Sequence, residues 1–232
     1  MSGFLPTLLS AVVGDFASSA HFAAANVAGA VGAGTVAQLL KRRQELAQTI
    51  MVAELKAGRA RLRECDLEDS AAVLYRYLRA AEEGAARLNL RLLAAVFAGQ
   101  ARDRAIAADD FLYFADMLAT LRRDEIILLG TLLRTSGEHP SKQDADASVR
   151  MAANVVARSR LVPSVFSDNE HFNAVANSLQ RTGLLLATPV GMNFAGVGVQ
   201  YKPTVLLERL NALAEIEGAI ARDVEHQDSS GN

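Results

Sequence analysis

The segment that decides the fold is Asp124-Glu125-Ile126-Ile127-Leu128-Leu129-Gly130-Thr131-Leu132-Leu133. Its apolar residues would lie on nearly every side of a helix, which is typical of a helix buried in a core. The two acidic residues at its start suit a first helical turn, because carboxylates there interact favourably with the helix dipole. We therefore predict a central helix, with Thr120 as the residue that caps its beginning.

On the N-terminal side of this segment, apolar residues recur at three- and four-residue spacing, which predicts a series of amphipathic helices. The first helix is long, and its apolar seam consists of Val36, Leu39, Leu46, Ile50, Ala53, Ala57 and Ala60. Asp66 is predicted to cap the second helix, and Asp109 or Asp110 opens the helix that carries Phe111 and Leu118. These patterns predict two regions: a segment 1–63 with the long helix, and a helical core over 66–136.

On the C-terminal side, the period and the composition of the sequence change. After a loop near 136–145 and one helix, Ser167-Asp-Asn-Glu170 has the pattern of a capping box and opens a second helix. Gly183 suits the left-handed residue that ends that helix. Two short strands are predicted near 184–188 and 197–201, separated by a loop, and Thr204 begins a last helix. We therefore expect a mainly α protein, a helical bundle with a winged-helix-like module over 144–217 and a frayed tail over 218–232.

The first forty residues carry one formally charged side chain, Asp15, and the basic run Lys41-Arg42-Arg43 follows at once. Ala25, Gly29 and Ala33 are small residues four apart, a spacing that lets helix backbones approach closely in lipid and equally well in water. Ala and Gly contribute little transfer energy, so the length suits a membrane span better than the hydrophobicity does. Two interpretations stay open: a helix that is buried or self-associating, and a segment in contact with a membrane.

The distribution of charge limits the classes of partner. The chain has a formal net charge of -2, which gives no overall nucleic-acid footprint. Residues 41–63 are locally basic, and we expect a basic surface there, formed by Lys41, Arg42, Arg43, Arg59, Arg61 and Arg63.

The single cysteine, Cys65, cannot form an internal disulfide, which fits a reducing compartment. We therefore expect a cytoplasmic protein, with association to the inner membrane as the alternative.

Part of the sequence resembles a known family. The run Asn89-Leu90-Arg91-Leu92-Leu93-Ala94, the stretch from Phe111 to Leu118, and Leu121-Arg-Arg-Asp-Glu125 before an Ile/Leu run are similar to the middle of Abi-alpha proteins. The later Leu179-Gln-Arg-Thr-Gly183-Leu184-Leu185 and Tyr201-Lys-Pro-Thr204 resemble that family's tail. The resemblance covers about residues 88–213. It implies a helical fold and a prokaryotic phage-defence setting, and it brings no catalytic residues with it.

No motif for catalysis, for a metal or for a cofactor stands out. The four histidines include no pair three or four residues apart, so no helical metal pair is predicted. Gly29-Ala-Val-Gly32-Ala-Gly34 lacks the strand context of a dinucleotide-binding loop. We therefore expect no enzyme activity, no cofactor and no small-molecule substrate.

Two functional hypotheses lead, and an enzyme whose dispersed site no motif reveals is a third class. The first is a non-enzymatic assembly or effector protein that self-associates or contacts a membrane through its N-terminal segment. The second is a DNA-binding regulator that uses the winged-helix-like module, with Arg158, Arg160 and Arg181 as phosphate contacts. Against the second, residues 101–232 carry 13 basic and 17 acidic side chains, which weakens attraction to phosphate. Nucleic acid is therefore the less favoured partner.

Overall fold

The computed structural model describes residues 30–58, 67–103, 107–138, 147–193 and 196–230. The described residues form nine α-helices, one 3-10 turn and one antiparallel hairpin. The helices are α1 Ala30–Ala57, α2 Leu67–Glu83, α3 Arg87–Asp103, α4 Ala108–Ala119, α5 Arg123–Glu138, α6 Ala147–Leu161, α7 Asn169–Ser178, α8 Val205–Ala214 and α9 Ile216–Ser230. The 3-10 turn is Leu179–Thr182, and the strands are β1 Leu185–Asn193 and β2 Gly196–Pro203. The fold is thus mainly α, with a small C-terminal module that contains the strands, as predicted.

The chain divides into two compact units, Met1–Thr120 and Leu121–Asn232. This division differs from the predicted helical core over 66–136, because α5 packs against α6, α7, α9 and β2. The prediction that α5 is central is confirmed within the second unit, where Ile126, Leu128, Leu129 and Leu132 are buried. Apolar periodicity identified a buried helix, but it could not identify the elements that bury it.

In the first unit, α1 and α4 each pack against both α2 and α3. The core between these helices includes Leu74, Leu93, Phe97, Phe111 and Phe114, all almost fully buried. The rings of Phe97 and Phe111 meet edge to face with centroids 6.5 Å apart. Large aromatic side chains therefore join α3 to α4.

The prediction that the apolar seam forms the buried side of α1 is wrong. Leu39, Leu46, Ala53 and Ala57 are exposed, and Ile50 alone of the described seam side chains is buried. The buried side carries Gln44, Ala47, Met51, Glu54 and Leu55 instead. Two of these residues are polar, and they can be buried because α2 and α3 supply hydrogen-bond partners for them.

Of the predicted helix caps, two are confirmed, three are wrong and Asp66 lies outside the described residues. Ala107 precedes the first residue of α4, so Asp109 and Asp110 lie within its first turn instead of opening it. Gly183 has φ +70 and ends the turn after α7, and the Thr204 side chain accepts a bond from the Leu207 amide at the start of α8. At α7 the capping residue is Asp168, which accepts from the His171 amide, and not Ser167. Thr120 follows the end of α4 rather than opening α5. A carboxylate accepts more strongly than a hydroxyl, so Asp168 displaces the adjacent serine from the capping position.

The hairpin is longer than predicted, and most of the predicted loop belongs to β1 and β2. Its pairing runs from Leu185 opposite Pro203 to Asn193 opposite Gly196, with an irregularity after Val190. The side-chain amide of Asn154 on α6 exchanges two 2.9 Å hydrogen bonds with the backbone of Tyr201. These bonds satisfy backbone groups that a two-stranded sheet leaves without a strand partner.

The predicted frayed tail over 218–232 is wrong for the described part of that segment. The last helix divides at Glu215, which adopts a left-handed conformation with φ 46 and ψ 61, and α9 continues to Ser230. Ala219 and Asp223 are fully buried, and the Arg123 guanidinium lies 2.8 Å from the Asp223 carboxylate. The prediction of fraying came from the polar composition of this segment. It failed because the partner of Asp223 lies 100 residues away in the sequence, where local composition gives no sign of it.

Candidate interaction surfaces

The first surface is the side of α1 that faces away from α2 and α3. We call it the α1 outer face and define it as Leu39, Arg42, Leu46, Ala53 and Lys56, all of which are exposed. Leu39 is 52% exposed and Leu46 is 39% exposed. Their seven-residue separation spans about two helical turns, so both side chains lie on one side of α1. The surface is a short apolar strip with cations beside it.

Hydrogen bonds between α1 and α2 fix the orientation of α1. The Gln44 amide donates to the Glu82 carboxylate at 3.0 Å, and the buried Tyr77 hydroxyl donates to the Ala47 carbonyl at 2.8 Å. Arg43 donates to the Glu82 carbonyl at 2.9 Å. Rotating α1 to bury Leu39 and Leu46 would break these bonds, and a buried donor or acceptor left without a partner costs about 1–3 kcal/mol.

A buried ion pair joins α1 to α3. The Glu54 carboxylate lies 2.6 Å from the Arg91 guanidinium, and the two side chains are 1% and 5% exposed. Burial raises the pKa of the nearby Tyr77 hydroxyl, while Arg91 acts in the opposite direction and Glu54 adds to the rise. The same burial favours the neutral, protonated hydroxyl that donates to the Ala47 carbonyl. This cluster is enclosed by the bundle, so we interpret it as a device that fixes helix orientation.

The predicted basic surface is only partly within the described residues. Lys41, Arg42 and Arg43 are exposed on α1. Lys41 lies 4.0 Å from Glu45 in an exposed pair of the kind that contributes little stability. Arg59, Arg61 and Arg63 lie outside the described residues, as do Ala25 and Gly29. Ala33 lies within α1, but its side chain is outside the described set.

A second surface, which the sequence analysis missed, lies on α4. We call it the α4 outer face and define it as Asp109, Tyr113 and Asp116, which are exposed and follow i, i+4, i+7 spacing. Tyr113 is 54% exposed. The Asp116 carboxylate lies 2.9 Å from Arg76 of α2, which holds α4 to its neighbour. The sequence feature that could have indicated this surface is that α4 contains three aspartates and no basic residue.

The three arginines predicted to contact nucleic acid each have a partner within the second unit. Arg158 donates to the Asn173 side chain at 3.0 Å and lies 4.9 Å from the centre of the Phe172 ring. Arg160 forms a two-bond pair with Glu138, and Arg181 forms one with Glu125. A phosphate would have to compete with these acceptors for each guanidinium.

Glu125 is the centre of the most connected of these clusters. Its side chain is 3% exposed, and it accepts bonds from Arg181, from the Arg122 amide at 2.8 Å and from the Ser178 hydroxyl at 2.7 Å. Burial by itself raises the pKa of Glu125, but the bonds from Arg181, Arg122 and Ser178 together outweigh it and hold the pKa below its usual range. The cluster therefore ties the end of α7 and the following turn to the start of α5.

The amide side chains of α7, groups of the kind that can read adenine in a major groove, are also partly engaged. The Asn177 carbonyl oxygen accepts from Gln180 at 3.0 Å and lies 3.2 Å from the Tyr201 hydroxyl. Asn173 receives the bond from Arg158, whereas Asn169 is exposed at the first turn. The polar side of α7 serves largely to hold the helix against β2 and α6.

Two kinds of functional feature are absent from the described residues. Within those residues, no cluster of three or more His, Cys, Asp or Glu side chains is arranged to hold a metal ion. None of the described helices combines the length and the hydrophobicity that a membrane crossing requires.

Comparisons of this chain with family models, with curated proteins and with solved structures each return no match.

Proposed function

We propose that this chain is a non-enzymatic assembly protein that self-associates through the α1 outer face. The observation that carries the proposal is the exposure of Leu39 and Leu46 on a helix whose opposite side is fixed by buried polar contacts. A long helix that has its partners on one side and still presents leucines on the other offers a surface for a second helix.

The size of the apolar strip indicates how strong such an association can be. Burying a whole leucine side chain stabilises by about 1.5–3 kcal/mol, so covering the exposed halves of two leucines contributes roughly 2 kcal/mol. A micromolar complex needs about 8 kcal/mol. The leucines therefore supply only part of the binding energy, and the assembly depends on concentration and on the charged residues beside them.

The alternative, a DNA-binding regulator, has less support from the described residues. The helix, helix, hairpin and helix follow in the order of a winged-helix-like module, but its three candidate phosphate contacts pair with internal acceptors. A phage-defence setting is part of the proposal only through the resemblance of residues 88–213 to Abi-alpha proteins. Contact of the N-terminal segment with a membrane stays the alternative to self-association.

The test is the mass of the full chain in solution as a function of concentration, measured by light scattering after gel filtration. Wild type is expected to increase in mass with concentration, and Leu39→Gln/Leu46→Gln is expected to remain monomeric. The matched control is Leu186→Gln/Val205→Gln, which replaces two exposed apolar residues of the second unit, 55% and 80% exposed. The control is expected to behave as wild type.

Two results would contradict the proposal. One is a wild-type chain that stays monomeric at every accessible concentration. The other is a Leu39→Gln/Leu46→Gln variant that associates as strongly as wild type. Circular dichroism confirms that each variant keeps its helical content, so a loss of association is not a loss of folding.

A further inference from the structure

The α1 outer face and the α4 outer face carry opposite charges. The α1 outer face carries two cations, Arg42 and Lys56, and no anion, a net charge of +2. The α4 outer face carries two aspartates, Asp109 and Asp116, and no cation, and Asp116 shares its charge with Arg76 of the same unit. Opposite potentials on two surfaces favour their encounter and disfavour the contact of either surface with its own copy.

The two faces also match in their spacing. Leu39 and Leu46 are separated by seven residues, as are Asp109 and Asp116. Arg42 lies between the leucines, and Tyr113 lies between the aspartates. A helix that presents residues at i and i+7 packs along a second helix with the same repeat. In this register Arg42 can approach the aspartates while the leucines cover the exposed tyrosine ring. Lys56 lies 14 residues from Arg42, about 21 Å along α1, and so extends beyond the aspartate pair.

Tyr113 adds a reason to regard the α4 outer face as an interface. Tyrosines are enriched at protein interfaces because the ring supplies apolar area and the hydroxyl keeps a hydrogen-bond partner. Tyr113 is half exposed although its neighbours Phe111 and Phe114 are almost fully buried. A guanidinium or ammonium group over such a ring is further attracted by the ring electrons.

The two faces are exposed in the same folded chain, so neither covers the other within one molecule. Resting on the proposed function, we propose that the α1 outer face of one copy binds the α4 outer face of a second copy. Such a contact is heterologous, because each copy contributes a different surface. A pair of copies still presents one free α1 outer face at one end and one free α4 outer face at the other, so the assembly can grow into a ring or an open chain.

The decisive experiment mixes two full-length variants, each blocked on one face. The first is Leu39→Gln/Leu46→Gln, which blocks α1 and keeps α4 intact. The second is Asp109→Asn/Tyr113→Gln, which blocks α4, keeps α1 intact and preserves the Arg76–Asp116 pair. Each variant alone is expected to be monomeric. The equimolar mixture is expected to form a 1:1 pair and nothing larger, since the remaining faces of that pair are both blocked.

The outcomes separate this inference from the proposed function. If the α4 variant associates as strongly as wild type while the α1 variant is monomeric, α1 binds elsewhere: the inference is overturned and the proposed function stands. The same holds if both variants are monomeric but the mixture forms no pair. If wild type is monomeric, and anionic phospholipid vesicles retain it but not the α1 variant, the surface binds lipid and both proposals are overturned.

Salt dependence gives a second measurement that needs no variant. Raising the ionic strength from about 0.05 M to about 0.5 M shortens the range of electrostatic attraction severalfold. The association of wild type is expected to weaken by at least about tenfold over that range. Association that is unchanged or strengthened by salt would indicate a purely apolar contact and would overturn the pairing of these two faces.

Discussion

At the scale of single residues, the sequence identified the charged side chains but not their partners. Arg181 was predicted as a phosphate contact, and it forms a two-bond pair with Glu125, 56 residues earlier in the chain. Glu54 and Arg91 lie 37 residues apart and form a buried pair. The local sequence pattern contains no information about partners that are tens of residues away. An arginine on a helix therefore gives the same pattern whether it faces solvent or a buried carboxylate.

Glu125 gives a prediction about pH. Its pKa is lowered in the folded state, so it contributes stability that is present above its unfolded value, about 4.3, and that is lost as pH falls through the lower folded value. Glu125→Gln is expected to lower stability at pH 7 and to flatten the loss of stability below about pH 4.3. Urea unfolding followed by circular dichroism between pH 7 and pH 3 measures both effects. The control is Glu208→Gln, at an exposed position on α8, and a Glu125→Gln profile parallel to wild type would refute the assignment.

At the scale of elements, amphipathic periodicity located the helices but misjudged the orientation of α1. The predicted seam counted alanines and leucines as buried, whereas the structure buries Gln44 and Glu54 and exposes Leu39 and Leu46. The periodicity of apolar residues assumes that burial follows hydrophobicity alone. Here partners on α2 and α3 satisfy the polar groups, and that is a property of the neighbouring helices.

The start of α7 gives a prediction at this scale. The Asp168 carboxylate accepts the His171 amide at 2.8 Å, and that bond is the first cause of a lowered Asp168 pKa, followed by the bond from the Ser167 hydroxyl. Asp168→Ala is therefore expected to lower the melting temperature more than Ser167→Ala, and Asp168→Asn is expected to recover much of the loss because Asn also caps well. Thermal denaturation followed by circular dichroism measures the order. A larger decrease in melting temperature for Ser167→Ala than for Asp168→Ala would contradict the assignment of Asp168 as the capping residue.

At the scale of the whole molecule, each unit has its own core, and this gives a further prediction. Leu93 and Leu210 are fully buried, one in each unit. Replacing a buried leucine with alanine costs about 2–5 kcal/mol. Leu93→Ala is expected to reduce hydrogen-exchange protection over α2, α3 and α4, and Leu210→Ala to reduce it over α5, α7 and α8. Equal loss of protection in both units from either variant would contradict the division at Thr120.

The sequence by itself determined the mainly helical class, the central character of α5, the C-terminal hairpin, and the ends marked by Gly183 and Thr204, because each depends on residues close together in the chain. Only the tertiary structure decided which side of α1 is buried, which unit contains α5, and that the tail is helical. Each of those depends on a partner contributed by a distant segment, such as Arg91 for Glu54 or Arg123 for Asp223. The candidate interfaces follow from that difference, since a surface is defined by what the rest of the fold leaves uncovered.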